Sequence, residues 1–349
     1  MSPDRMARRG TFFETGNTVS PLPAAAKKGI VFSEGMAVEW ERNGGGCMDI
    51  SPGLRELRER LLQYLPEDGM KDTGLPGVSV ARHSFINEPE RCLYGPVIAL
   101  LVGGRKHSAA GVEECDCGPG DCLVMGMDLP VLCYVSEASP EDPCLGVALR
   151  LDGQMLAELA AGTDRGSDRQ DASRAVSMIH ADEALIDAFL RMVRLLEFPR
   201  GAPFLAPLIV REIHYRALLS SAGWQLAQLC AEGSPSRQVV KAAAWLRENF
   251  RRPMKMEELA RYVGMGVSTL HHHFRSVTAM SPLQYQKRLR LMEARRLMLV
   301  EHCDAVSAGL SVGYESVSQF SREYRRLFGL PPGRDAAQRR QQDESTQIS

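Results

Sequence analysis

No stretch of the 349-residue chain approaches the ~18 consecutive apolar residues that a helical membrane span needs. The charged start, Met1 to Gly10, is not followed by an apolar segment and a small-residue cleavage site, so a cytoplasmic protein is expected. Histidine is scarce, at eight residues, and the strand-rich part of the chain offers only His83 and His107, far apart. Metal-dependent catalysis in a barrel needs several histidines and carboxylates converging on one ion. No catalytic residue, metal or cofactor is therefore expected. Net charge is also nearly absent, at −1. Cysteine is not scarce, and in a reducing compartment the nine present are expected as thiols.

What is present is ordinary globular composition, 44% hydrophobic and 24% charged, over a length that suits two domains. The near-zero net charge hides a division. Ser236 to Arg334 carries 17 Lys+Arg against 8 Asp+Glu, a net +9, which leaves −10 for the remainder. A basic C-terminal block beside an acidic partner is the footprint of a nucleic-acid binder, although a solvated basic face would look the same by charge alone.

The chain divides into five stretches. Residues 1–45 mix Pro, Gly, Ala and scattered charge without periodicity and read as a disordered leader. Residues 46–152 hold an amphipathic helix, with Leu54, Leu57, Leu61, Leu62 and Leu65 at helical spacing, and then short apolar strands separated by turn residues. That grammar predicts a small β-barrel or jelly roll with room for one small ligand. Residues 153–235 return to helices. The stripes Leu185, Ile186, Phe189, Met192, Val193, Leu196 and Ile209, Ile213, Leu218, Leu219 serve either intramolecular packing or a homodimer. Residues 236–334 form the basic block, and 335–349 read as a disordered tail.

Within the basic block, Met256 to Val263 reads as a short helix, Gly264-Met265-Gly266 as a turn, and Val267 to about Val277 as a second helix. Leu259, Val263, Leu270 and Phe274 are spaced to fill the core between them. This is a helix-turn-helix, whose second helix lies in the major groove. After a long helix from Leu283 to about Val300 the plan recurs: Ala305 to Val312, a turn at Gly313-Tyr314, and a helix from Ser316 to Phe328. Gly309 is unexpected inside a helix, because glycine costs ~1 kcal/mol there relative to alanine.

On Val312-Gly313-Tyr314-Glu315-Ser316, Gln319-Phe320-Ser321-Arg322, Tyr324, Phe328-Gly329 and Pro331-Pro332, with Ser281-Pro282, Tyr285 and Arg288-Leu289 between the units, the block resembles the AraC/XylS DNA-binding domain. The region from Pro76 to Asp152 resembles the AraC-type regulator N-terminal domain. Its matching residues are Glu88-Pro89, Tyr94-Gly95-Pro96, Gly104-Arg105-Lys106, Gly118-Pro119-Gly120, Asp128-Leu129-Pro130-Val131 and Leu149 to Asp152. The resemblance implies a multidomain α and β protein: a cupin-like β-barrel, a helical connector and an all-α double helix-turn-helix. It implies a transcription regulator with promoter DNA, RNA polymerase and an unidentified small-molecule effector as partners. A cupin-type metalloenzyme and a non-specific architectural DNA-binding protein are the alternatives.

The residues expected to meet DNA are Ser268, Thr269, His271, His272 and Arg275 on the first reading helix, and Ser316, Ser318, Gln319, Arg322 and Arg326 on the second. Arg and Gln suit guanine and adenine edges, and hydroxyls suit phosphates or either base. Residues His271, His272 and His273 step ~100° apart around a helix and cannot converge on one ion. Cys115, Cys117 and Cys133 are candidate sensor thiols for an oxidant or electrophile; the other reading makes them small buried hydrophobes.

Overall fold

The computed structural model describes residues 51–110, 113–162 and 174–347, and the leader expected over 1–45 lies outside them. Helix α1 (Pro52–Tyr64) starts where the Ser51 hydroxyl accepts from the Leu54 amide and Pro52 fixes the first turn. It buries Leu54, Leu57 and Leu61. Nine strands follow before the next helix: β1 (Gly69–Asp72), β2 (Val78–His83), β3 (Glu90–Tyr94), β4 (Val97–Gly103), β5 (Arg105–Ala110), β6 (Glu113–Cys117), β7 (Asp121–Met125), β8 (Leu129–Glu137) and β9 (Cys144–Arg150).

Of the two expected forms, barrel or jelly roll, these strands take the second. They form two antiparallel sheets, one ordered β1-β2-β9-β4-β7 with a sixth strand, β10 (Val176–His180), beside β7, and the other β3-β8-β5-β6, packed as a cupin-like sandwich. The central strand β4 shows the layering. Its Ile98, Leu100 and Val102 join a core with the helices, while Val97 and Leu101 join a core with the second sheet. A sheet apolar on both faces is a layer between two others, here the helices and the second sheet.

The region expected to be purely helical supplies β10 (Val176–His180), which extends the larger sheet beside β7. Its short run, Val-Ser-Met-Ile-His, lies between helical stripes and gives no strong alternation. The helices around it are α2 (Gly153–Ala161), α3 (Glu183–Arg194), α4 (Ala202–Leu219) and α5 (Gly223–Cys230). Leu185, Ile186, Phe189, Met192, Val193, Ile209, Ile213 and Leu218 are all buried in one cluster with α1 and the sheet. The expected boundary at 152/153 thus cuts through elements that share a core.

The C-terminal region is all helical: α6 (Pro235–Asn249), α7 (Met256–Val263), α8 (Val267–Thr278), α9 (Pro282–Val300), α10 (Ala305–Ser311), α11 (Val317–Phe328) and α12 (Pro332–Gln347). Helix α12 replaces the disordered tail expected from residue 335. It has no apolar stripe to betray it and is anchored by charge. The Asp335 carboxylate accepts from Arg295 at 2.9 Å and from the Tyr324 hydroxyl at 2.6 Å, and Arg339 reaches Glu90 at 3.2 Å. Burial raises the Asp335 pKa, yet Arg295, Tyr324 and Arg339 outweigh it and hold the group below its usual range.

The two halves share a core. Met127, Leu129, Ala175 and Leu229 cluster with Val239, Leu246, Phe274 and Tyr285. Arg247 pairs with Asp128 at 2.7 Å, the Tyr285 hydroxyl donates to the Asp128 carbonyl at 2.8 Å, and Ala175 N donates to the Val277 carbonyl at 3.1 Å. Among the described residues no helix is long and apolar enough to cross a membrane.

Candidate DNA interface and ligand cavity

In the first unit, α7 ends on Gly264 in the left-handed conformation, φ 69°, and Met265 N returns to the Ala260 carbonyl at 2.9 Å. Leu259, Ala260, Val263, Leu270 and Phe274 are buried between α7 and α8. The opposite face of α8 exposes Ser268, Thr269, His271, His272 and Arg275. His273 is half-buried, with its ring edge-on to His272 at 5.5 Å.

In the second unit, Asp304 caps α10 by accepting from Val306 N and Ser307 N, and Ser316 caps α11 by accepting from Gln319 N. A Cβ on Gly309 would sit 2.8 Å from the Phe320 ring, so the helix-weakening glycine is what lets α11 cross α10 closely. Ser316, Ser318, Gln319, Arg322 and Arg326 are exposed on α11, as is Val317 at 43%. Two of these are already engaged: Ser316 in its cap, and Gln319 through a 3.1 Å bond from its amide to Glu323. Arg325 is exposed on the same helix and was not picked out by sequence; the Arg-Arg pair at 325–326 was its signal.

One residue that joins the units also escaped the sequence reading. Arg290, on α9, donates to the carbonyls of Phe250 at 2.6 Å, Gly313 at 2.8 Å, Arg252 at 3.0 Å and Arg251 at 3.2 Å. Gln286 adds bonds to the Phe250 and Arg252 carbonyls. These satisfy the exposed end of α6, where unpaired carbonyls and the helix dipole favour a cation. They also pin the turn of the second unit, because a Cβ on Gly313 (φ 94°) would lie 1.9 Å from the Arg251 carbonyl oxygen. Helix α9 has 19 residues, about 28 Å at ~1.5 Å each, close to the ~34 Å repeat of the major groove.

Between the two sheets lies a cavity of about 310 Å³. Its walls are largely apolar, including Val80, Ala99, Leu123, Met125 and Val147, with Asp72, Ser79, His83, Tyr94, Lys106, Ser108 and Arg150 as polar groups. Lys106 Nζ donates to the Tyr94 hydroxyl at 2.9 Å, and among the described residues no carboxylate forms an ion pair with it. Ser108 is 2% exposed, and among the described residues its hydroxyl has no hydrogen-bond partner. Burial, reinforced by Lys106, pushes the His83 pKa down to about 4. His107, next to Lys106 on the strand, instead stacks on Tyr134 and bonds Asp116, so the two histidines do not converge.

Of the candidate thiols, Cys133 is buried beside Cys92, with 3.5 Å between their sulfurs. Cys115 contacts the Ser108 carbonyl at 3.5 Å, and Cys117 is 2% exposed. The eight described cysteines are free thiols.

The model for the AraC-type transcriptional regulator N-terminus matches residues 74–225, and that for a helix-turn-helix domain matches 259–338. The chain belongs to the AraC-type transcriptional regulators. Similar curated members include ArgR of Pseudomonas aeruginosa, 32% identical over 31% of this chain and 33% of its own length. ExsA of the same organism is 29% identical over 38% and 47%, and RhaS of Escherichia coli is 28% identical over 46% and 56%. The chain thus spans from a third to just over half of these regulators. ToxT of Vibrio cholerae matches in fold, with TM-score 0.51 and 11% identity over 74% of this chain and 97% of ToxT. A second ToxT structure, bound to (E)-4-(8-methylnaphthalen-1-yl)but-3-enoic acid, matches at TM-score 0.50 and 8% identity over the same shares. Membership in this family favours a regulator over a cupin-type metalloenzyme.

Proposed function

We propose that this AraC-type regulator binds promoter DNA sequence-specifically through α8 and α11, under control of a small molecule held in the N-terminal cavity. It acts in the cytoplasm, by recruiting or excluding RNA polymerase, and the reading assigns it no catalytic step. The observation that carries it is the pair of reading helices fixed to one rigid helix, each with its polar face exposed. His272 and Arg322 are assigned direct DNA contacts, with Arg275, Arg326 and the neighbouring hydroxyls on phosphate or base edges. Arg325 joins them as a phosphate contact.

The effector is assigned an apolar body with an anionic head. The cavity is small for ligand pockets, which run from ~300 to 1,000 Å³. Lys106 without an acid partner and the unpaired Ser108 hydroxyl are the groups such a head would satisfy. The acid bound to ToxT is of this kind.

A homodimer is assigned to α4, where Phe204, Leu208, Tyr215 and Leu219 are 77%, 65%, 41% and 60% exposed along one face. The stripe expected from sequence lies on its other face and is buried, apart from Leu219.

The deciding experiment titrates the protein against promoter DNA of its own and neighbouring genes, at two salt concentrations, with excess unrelated DNA. A salt-dependent complex that survives competition is expected. Loss of all binding under competition, with and without extracted small-molecule ligand, would overturn the reading.

A further inference from the structure

Strand β3 places Cys92 diagonally across from Cys133 on β8: Cys92 faces Val131, and Cys133 faces Glu90. Their sulfurs are 3.5 Å apart, and a disulfide needs ~2.0 Å, so side-chain rotation with a small strand adjustment closes the gap. The Tyr94 hydroxyl lies 3.6 Å from the Cys133 sulfur and itself accepts from Lys106 Nζ. Cys92 and Tyr94 therefore both contact the Cys133 sulfur, with the positive charge of Lys106 behind Tyr94.

The titration of the pair follows this geometry. The Cys92 contact, Lys106 and Tyr94 pull the Cys133 thiol below its ordinary range against its burial. The same contact and burial push the Cys92 thiol up. A thiolate beside a thiol supplies both an attacking and a resolving group. Cys117 differs: its contact with Cys115, its burial and the nearby Asp121 all push its thiol up.

The strand that carries Cys92 also grips the DNA-binding half. Glu90 pairs with Arg339 at 3.2 Å and Arg295 at 3.7 Å. Arg91 Nε donates to the carbonyl of Leu327, in the last turn of α11, at 3.0 Å.

We propose that Cys92 and Cys133 are a dithiol–disulfide pair oxidised by hydroperoxides, and that closing it changes DNA affinity through strand β3. The Cys133 thiolate attacks the terminal peroxide oxygen; an S–O bond forms, the O–O bond breaks, and the departing alkoxide or hydroxide takes up the proton lost from Cys133. The Cys92 sulfur then displaces hydroxide from the sulfenic acid, which leaves as water with the Cys92 proton. Two electrons pass from the two thiols to the peroxide. Each sulfur moves toward the other, so Glu90 and Arg91 shift against Arg339, Arg295 and Leu327. The first half of the proposal is independent of the DNA-binding reading, and the second rests on it.

The test uses the full chain, reduced and then treated with hydrogen peroxide, with promoter affinity measured before and after. Non-reducing peptide mapping by mass spectrometry is expected to find Cys92 linked to Cys133, reversed by dithiothreitol. Affinity should change at least ~5-fold, the low end of typical coupling between sites. Cys92→Ser should abolish both effects and leave a Cys133 sulfenic acid trapped by dimedone. A Cys115–Cys117 link instead, or no Cys92–Cys133 link at doses that oxidise other cysteines, overturns the site. A link that leaves affinity unchanged overturns the coupling. A reduced protein that binds no promoter DNA overturns the DNA-binding reading and the coupling with it, while the peptide map still decides the thiol pair.

Discussion

Both helix-turn-helix units turn on a positive-φ glycine over an apolar core, but the second adds side-chain caps and partly buried charge. Neither α7 nor α8 has a side-chain cap, and the core between them is Leu259, Ala260, Val263, Leu270 and Phe274. Both α10 and α11 are capped, by Asp304 and Ser316, and Glu323 gathers Lys287 at 2.6 Å, the Tyr314 hydroxyl at 2.8 Å and Gln319 at 3.1 Å. A seven-residue helix such as α10 is too short to persist by itself, so it depends on what it packs against. The reading faces differ to match. Helix α8 shows hydroxyls, imidazoles and one guanidinium, whereas α11 shows Arg322, Arg325 and Arg326. The second unit is thus suited to carry most of the phosphate attraction, and the first to contribute contacts that depend less on salt.

The sharpest way to break this contrast is at the crowded turn of the second unit. Gly313→Val combines a positive φ with a side chain driven into the Arg251 carbonyl, and should cost about 3 to 5 kcal/mol. Hydrogen exchange should rise in α10 and α11 while α7 and α8 stay protected. Equal loosening of both units would mean that they fold as one body, and no loosening would mean that the turn tolerates a side chain. Arg290→Met comes next, at about 1.5 to 3 kcal/mol for carbonyls deprived of a charged donor. It should weaken DNA binding without touching either reading face, because it frees the second turn from the end of α6. A variant with wild-type stability and affinity would show that α9 alone fixes the spacing.

The reading faces can be compared directly. Arg322→Ala should cost about 1 to 3 kcal/mol of operator binding and relax preference at one base pair if it reads a base. A salt slope lowered by about one, with preference unchanged, would make it a phosphate contact. His272→Ala should cost less than Arg322→Ala in side-by-side titrations. The reverse order would move the dominant contact to the first unit.

The helical half was legible because its signals are local. Gly264, Gly313, the apolar spacing and the motif around Ser316 to Phe328 each lie within one turn of the feature they specify. What escaped depends on contacts distant in sequence. Gly309 looks like a flaw until Phe320 is placed against it. Arg290 looks like any helix arginine until four carbonyls converge on it. Helix α12 lacks an apolar stripe, and its anchors are Arg295, Tyr324 and Glu90. In the N-terminal half, periodicity gave the strands but not their closure, since β4 is buried on both faces and its run carries no alternation to say which layer lies where. The thiol pair was half seen: Cys133 stood out, but Cys92 is 41 residues away and becomes its neighbour only through strand pairing.

The smallest effect at neutral pH tests the other half, where polar groups are enclosed and not displayed. Burial and Lys106 hold His83 neutral, with its pKa lowered from 6.5 to about 4. In the unfolded chain the same imidazole binds a proton near its ordinary value, so its contribution to stability is intact above pH ~6.5 and is lost as pH falls toward 4. His83→Gln should therefore change stability little at pH 7 and flatten the decline between pH 6.5 and 4, measured by denaturant unfolding across that window. Exchange in α10 and α11 should not follow the variant if the cavity and the second unit unfold separately. A pH dependence unchanged by the substitution would mean that His83 takes up its proton in the folded protein, through an opening of the cavity that lets water reach the ring.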